Sequence, residues 1–309
     1  MSLSLPRKNS QNGTVGLDVD GRYVAAVRAQ RGQVAMAASS DLPDGLVVDG
    51  EVVDASGLSS ALKSFASSAG LPRNVRLGVA NQQIVVRLME LPPIEDATER
   101  AAAVRFQASE AIAMPLDEAV LDHQVVGYSE NGDGSRRLRV VVAAARRSMV
   151  EALVEAARGA GLRPQGIDLD AFALVRMFAD ENSSEDTARV YCHLGGVTNL
   201  AIAAGTTCLF YRPLSTTWDG ADAVDTLGDE IRLSLDYYMA QPDAVPAGEL
   251  VLSGPHSHEE ALVQGLSVAL GLETIVAPPL GSLDASALGA DEDPRRYTVA
   301  AGLALGAAA

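Results

Sequence analysis

The sequence predicts an α/β protein of two lobes, and three observations predict it. A chain of 309 residues is long enough for about two domains. Strand-like runs rich in Val, Ala and Leu alternate along it with helix-like apolar stripes. A unit of two strands joined by a glycine turn, with a third strand close behind, opens each half.

The first unit runs through strands at 15–18 and 23–29, joined across Asp20-Gly21, a dipeptide suited to a tight hairpin. A third strand follows Gly32 over 33–38. A helix over 55–68 carries Leu58, Leu62 and Phe65 on one stripe; Asp54 is placed to cap its start and Gly70 lies just past its end. Strands at 75–80 and 84–89 come next, closed by Leu91-Pro92-Pro93. A helix over 97–113 is stopped by Pro115. Strands at 119–126 and 138–144 then flank a turn at Asn131-Gly132-Asp133-Gly134. Ser148 and Glu151 have the spacing of a capping box for a helix that ends near Gly161. A strand over 165–169 and a helix over 171–178 lead to the polar stretch 180–186, the expected lobe boundary.

The second half opens as the first does. Strands at 189–194 and 199–204 flank Gly195-Gly196, and a third over 208–213 follows Gly205. An offset of about 175 residues lays Asp18 on His193, Gly21 on Gly196 and Val27 on Ile202 without a gap, which predicts an internal duplication. A helix over 221–240 then steps its apolar residues by three or four: Val224, Leu227, Ile231, Leu235 and Tyr238. A strand over 249–253, a helix over 259–270, a strand over 274–277 and a terminal helix over 299–307 complete the chain.

Composition narrows the function. The formal charge is −16, from 24 basic and 40 acidic residues, so the surface repels phosphate backbones and anionic headgroups and nucleic acid is not an expected partner. The basic cluster Arg136, Arg137, Arg139, Arg146 and Arg147 flanks an apolar strand and reads as that strand's exposed ends. No apolar run reaches about 18 residues, and the start is polar, so neither a membrane span nor a signal peptide is expected. Cys192 and Cys208 are the two cysteines and read as free thiols packed in strands of a cytoplasmic protein. No Ser/His/Asp or Cys/His arrangement and no phosphate-loop pattern is present.

Two facing glycine turns are suited to clamping a nucleotide's phosphates with backbone N–H groups, aided by magnesium held near their carboxylates. The positions are Asp18 to Gly21, with Asp20 between them, His193 to Thr198 with Gly195 and Gly196, and a later adenosine-side loop from Ser253-Gly254 to His258. Gly16-Leu17-Asp18-Val19 resembles the first phosphate motif of actin-like ATPases. The runs Asn74–Gln82, Met89–Ile94, Met114–Asp122, Gly166–Leu174, Glu230–Tyr238 and Tyr297–Leu305 are similar to the type IV pilus assembly protein PilM family, across about residues 14–306.

That resemblance implies an actin-like (ribonuclease H-like) two-lobed fold, related to the cell-division protein FtsA, with a small α+β subdomain inserted in the first lobe. It sets a disordered tail at 1–13, the first lobe at 14–74 and 146–180, the insertion at 75–145 and the second lobe at 187–309. It implies a cytoplasmic scaffold at the inner face of the membrane, reaching the membrane only through partners. The implied partner is the N-terminal cytoplasmic peptide of a PilN-like protein, held between the first lobe's core and the insertion. Other pilus platform or motor proteins, and copies of the chain itself, are further partners it allows.

It also implies ATP with magnesium in the cleft, Asp18 serving as a magnesium position or as a strand cap, and Glu230 reaching a ribose or lying on a solvated helix face. The residues present depart from that pattern. Asp20 stands where the family has glycine, His193 replaces an aspartate, and Pro255 without an N–H follows Gly254. A second carboxylate facing a triphosphate costs about 1 kcal/mol per unit-charge pair at ~4 Å in water and about 4 near a protein surface. ATP binding is therefore expected to be weak or absent. The alternatives are a working ATP switch or slow ATPase on Gly21, Gly195 and Gly196, and, more remotely, a small-molecule kinase. His256 and His258 read as solvated surface residues rather than metal ligands.

Overall fold

The computed structural model describes residues 14–130, 134–179, 185–214, 218, 220, 222–242, 244–286, 288–289 and 292–306. The expected tail at 1–13, the turn centred on 131–133 and most of the expected boundary at 180–186 lie outside these residues.

In chain order the first half contains β1 (Val15–Val19), β2 (Tyr23–Gln30), β3 (Gln33–Asp41), the short β4 (Val47–Val48) and β5 (Glu51–Val52), α1 (Ala55–Ser68) and β6 (Asn74–Val79). Then come β7 (Val85–Leu91), α2 (Ala97–Ala111), β8 (Ala119–Glu130), β9 (Arg136–Arg146), α3 (Arg147–Gly159), β10 (Arg163–Leu169) and α4 (Asp170–Phe178). The second half contains β11 (Ala188–Leu194), β12 (Thr198–Ala204), β13 (Thr207–Leu214), α5 (Ala223–Met239), β14 (Ala247–Ser253), α6 (Glu260–Leu270), β15 (Glu273–Val276) and α7 (Thr298–Gly306).

Two five-stranded sheets carry the fold, ordered β10-β6-β1-β2-β3 and β13-β12-β11-β14-β15. Each has an antiparallel meander of three strands, and its first strand then pairs in parallel with the fourth. The shared order supports the duplication, but the ungapped alignment fails by one residue. Asp18 pairs with Ala25, whereas its counterpart His193 pairs with Asn199. The second turn is one residue shorter, so Val27 corresponds to Ala201 and not to Ile202.

The inserted subdomain also begins later than residue 75. β6 pairs in parallel with β1 and β10 and so belongs to the first sheet. The insertion is the three-stranded sheet β7-β9-β8 with α2. Alternate residues of β9 point to opposite faces. Val140 and Val142 pack with Val104 and Ala108 of α2, while Val141 and Ala143 join the core that holds Met149 and Val150 of α3.

Asp54 caps α1 as expected, accepting from the Gly57 amide at 2.9 Å, and Leu58, Leu62 and Phe65 are buried. The capping box at Ser148 and Glu151 does not form. β9 runs straight into α3 with Arg146 at the cap position, which places Ser148 inside the first turn. The Arg147 N–H is satisfied by the Glu118 carbonyl at 2.8 Å, so one helix-end donor finds its partner in a neighbouring segment.

Packing crosses the boundaries drawn along the chain. α4 lies against β11, β12 and β13 of the second sheet, with Phe178 stacked on Tyr191 at 6.5 Å. α7, expected with the second lobe, covers β1, β2 and β6 of the first sheet. Ala300 and Ala304 of α7 come so near β1 that a side chain on Gly16 would collide with their backbones. α4 and α7 also pack on each other, so each half of the chain donates a helix to the seam. Among the described residues no helix is long and apolar enough to cross a membrane.

Candidate functional site

The β1–β2 and β11–β12 turns meet between the sheets. In the first, the Asp20 N–H donates to the Tyr23 carbonyl at 3.1 Å, closing a turn on Gly21 and Arg22. Gly21 adopts φ +99°, a conformation that side chains disfavour. The Asp20 carboxylate then reaches over to the second turn, where the Gly196 N–H donates to its Oδ2 at 2.6 Å. Its Oδ1 accepts from the Arg22 N–H at 3.3 Å. A side chain at Gly195 or Gly196 would run into Asp20, which accounts for both glycines.

A third layer closes over this contact. The Trp218 indole N–H donates to the Gly195 carbonyl at 3.0 Å. Its ring stacks on His256 with centroids 3.9 Å apart and planes 20° apart, and the Arg22 guanidinium lies 5.0 Å from the ring. His256 belongs to the loop after β14, whose start is held by Ser253 Oγ against His193 Nδ1 at 3.0 Å. Gly254, at φ +98°, passes so close to the Leu194 backbone that a side chain would not fit. Thr198 is buried at the start of β12.

Beneath the turns, Asp18 and Asp170 are both buried. Burial pushes the Asp18 carboxyl well above the usual carboxylate range, and the charges of Asp170 and Asp20 add to this. Burial likewise raises Asp170 to about 8, helped by Asp20 and Asp168. Asp20 is also raised by burial, against the lowering pull of the Gly196 and Arg22 amides. Burial pushes His193 down to about 4, so it is neutral at pH 7. The space enclosed by Asp18, Asp20, Asp170, His193 and Asn199 is about 20 Å³. That holds roughly one water, whereas ligand pockets commonly measure about 300–1,000 Å³.

Asp18, Asp20, Gly195, Gly196, Ser253 and Gly254 are thus drawn together, with Gly21 shaping the first turn. Glu230 is engaged elsewhere: it pairs with Arg212 of β13 at 3.1 Å and does not line the cavity. Three residues that sequence reasoning did not single out belong to the site. Asp170 starts α4 directly after β10, and a carboxylate between a buried strand and an apolar helix was its available signal. Trp218 is the chain's single tryptophan, set in a polar stretch. Arg22 carries no sequence signal beyond its place beside Gly21. Among the described residues no three His, Cys, Asp or Glu side chains are grouped to hold a metal ion.

A larger groove, about 340 Å³, opens at the root of the insertion. Ile84 and Val85 form one wall, Phe210 and Pro213 of β13 the other, and Arg87 and Tyr237 stand at its side. An Arg87 guanidinium N–H donates to the Tyr237 hydroxyl at 3.2 Å.

Comparison with solved structures places this architecture. A PilM-PilN type IV pilus biogenesis complex contains a chain that superposes with a TM-score of 0.80 at 23% identity, covering 97% of this chain and 100% of that one. A Bacteroides thetaiotaomicron protein with an actin-like ATPase fold and unknown function gives 0.51 at 10% identity over 88% and 93% of the two chains. MreB5 of Spiroplasma citri bound to ADP gives 0.51 at 11% over 94% and 95%. The fold is therefore actin-like. A family model described as type IV pilus assembly protein PilM matches residues 16–194, more than half of the chain, and the chain belongs to that family.

Proposed function

We propose that this chain is a docking component of type IV pilus assembly that binds the cytoplasmic N-terminal peptide of a PilN-like membrane protein and does not depend on bound ATP. The observation that carries the reading is the Asp20 carboxylate seated on the Gly196 amide above a cavity of about 20 Å³. The residues present do not fit ATP with magnesium in this arrangement. The amide suited to a phosphate already has an anionic acceptor, and His193 supplies a neutral ring where a carboxylate would serve a cation. Membership of the family supports the pilus role, and the solved PilM-PilN complex supports a PilN-like partner. The groove at the root of the insertion, between the insertion and β13 of the second sheet rather than against the first lobe's core, is the site we assign to the peptide. Ile84, Val85, Phe210 and Pro213 offer apolar contacts, and Arg87, Arg212 and Tyr237 polar ones, to a segment of extended chain. Such a partner would hold the chain at the cytoplasmic face of the membrane.

A second reading, an ATP-dependent switch, is favoured by the glycines kept at 21, 195 and 196. Two titrations decide between them. A fluorescent peptide from the cytoplasmic N-terminus of a PilN-like protein is expected to bind in the micromolar range with no nucleotide present. Calorimetry with ATP and magnesium is expected to show no binding in that range. Magnesium-dependent micromolar ATP binding, with peptide binding only in its presence, would establish the switch instead.

A further inference from the structure

We propose that the chain carries its own stand-in for a nucleotide: the Asp20 carboxylate occupies the anion position of the second turn, and the Trp218 indole occupies the flat position beside the adenosine-side loop. The inference deepens the reading of a cleft that does not take ATP and rests on it.

The geometry meets the chemical demands of such mimicry at both ends. A glycine turn with a free N–H is a site for an anionic oxygen. Here that oxygen is Asp20 Oδ2, at 2.6 Å from the Gly196 nitrogen and 176 residues away along the chain. A nucleobase in such a cleft offers a planar ring for stacking and a polar edge for a hydrogen bond. Trp218 offers both, stacked on His256 at 3.9 Å and donating to the Gly195 carbonyl at 3.0 Å. The Arg22 guanidinium, 5.0 Å from the indole on the same turn as Asp20, joins the two halves of the mimic by a cation–π contact. Asp20 comes from the first sheet's hairpin and Gly196 from the second's, so their bond ties the lobes. The lobes are consequently held together by side chains where a ligand would otherwise bridge them, and closure is constitutive.

The test uses the full chain and three variants: Asp20→Gly, Asp20→Asn and Asp20→Gly with Trp218→Ala. Because Trp218 is the single tryptophan, its emission reports the mimic directly. Asp20→Gly is expected to shift that emission to longer wavelength and to lower the melting temperature by about 2–6 °C, the loss of one charge-assisted hydrogen bond. The double variant is expected to bind ATP with magnesium at least about tenfold more tightly than the unmodified chain, and saturating ATP is expected to restore its melting temperature. A folded double variant that binds ATP no better than the unmodified chain overturns the proposal, as does Asp20→Gly with unchanged emission and melting temperature. If Asp20→Gly does not fold, Asp20→Asn is read: it keeps an oxygen for the Gly196 amide without the charge, and a melting temperature that does not fall overturns the proposal. Micromolar ATP binding by the unmodified chain is a different failure, since it removes the docking reading on which the mimic rests.

Discussion

Gly302 crosses Ala173 so closely that a side chain at 302 would strike the Ala173 carbonyl oxygen. The contact joins α7 to α4, the two helices that the halves of the chain lend to the seam between the sheets. On its other side α7 is pressed on β1 at Gly16.

Gly302→Val is therefore expected to cost about 3 kcal/mol or more, through overpacking at a backbone contact. Val268→Ala on α6, at a position 86% exposed, is the control and is expected to change stability by less than about 0.5 kcal/mol. Urea denaturation of both variants checks the contrast.

Asp168 anchors the same seam. Its Oδ2 accepts from Arg176 at 3.0 Å and lies 3.6 Å from Arg76, and a second Arg176 N–H donates to the Gly302 carbonyl at 2.7 Å. Asp168→Ala leaves two largely buried guanidinium groups without this carboxylate and is expected to cost about 3–5 kcal/mol. Equilibrium unfolding measures it; a loss below about 1 kcal/mol would show that the arginines find other acceptors.

His193 makes stability depend on pH. Its folded value of about 4 lies below the ordinary 6.5, so between these values the unfolded chain binds the extra proton. Its contribution is thus present above pH 6.5 and is lost as pH falls towards 4, by roughly 3 kcal/mol at most. Asp170, raised to about 8, acts in the opposite sense from about 3.8 upward, so the effect is read as a difference from His193→Gln. The unmodified chain should lose more stability than the variant between pH 6.5 and pH 4 in urea titrations at each pH.

Burial pushes both Cys192 and Cys208 up to about 12, and both are buried. Neither thiol is expected to react with iodoacetamide at pH 8 in the native protein, because the thiolate is the nucleophile. Mass spectrometry should find no adducts natively and two per chain after denaturation.

Where local rules govern, the sequence was a good guide. Asp54 and the stripe of Leu58, Leu62 and Phe65 define α1 within a few residues of one another, and the structure keeps them. The box at Ser148 and Glu151 has the right spacing but fails, since such a box needs its serine outside the helix and β9 leaves no loop before α3. Of the site, the two glycine turns were legible from their dipeptides. Asp170 and Trp218 were not, because a lone carboxylate and a lone indole read as surface residues until packing encloses them.

Hydrogen bonds and side-chain stripes that span three or four residues made the strands, helices and tight turns readable from the chain alone, and the recurrence of one unit announced two lobes. The direction of the Asp20 carboxylate was not readable, nor was the sheet that α7 would cover. Both depend on contacts between segments more than a hundred residues apart, and such contacts arise only when the apolar faces of two sheets and two exchanged helices are buried together.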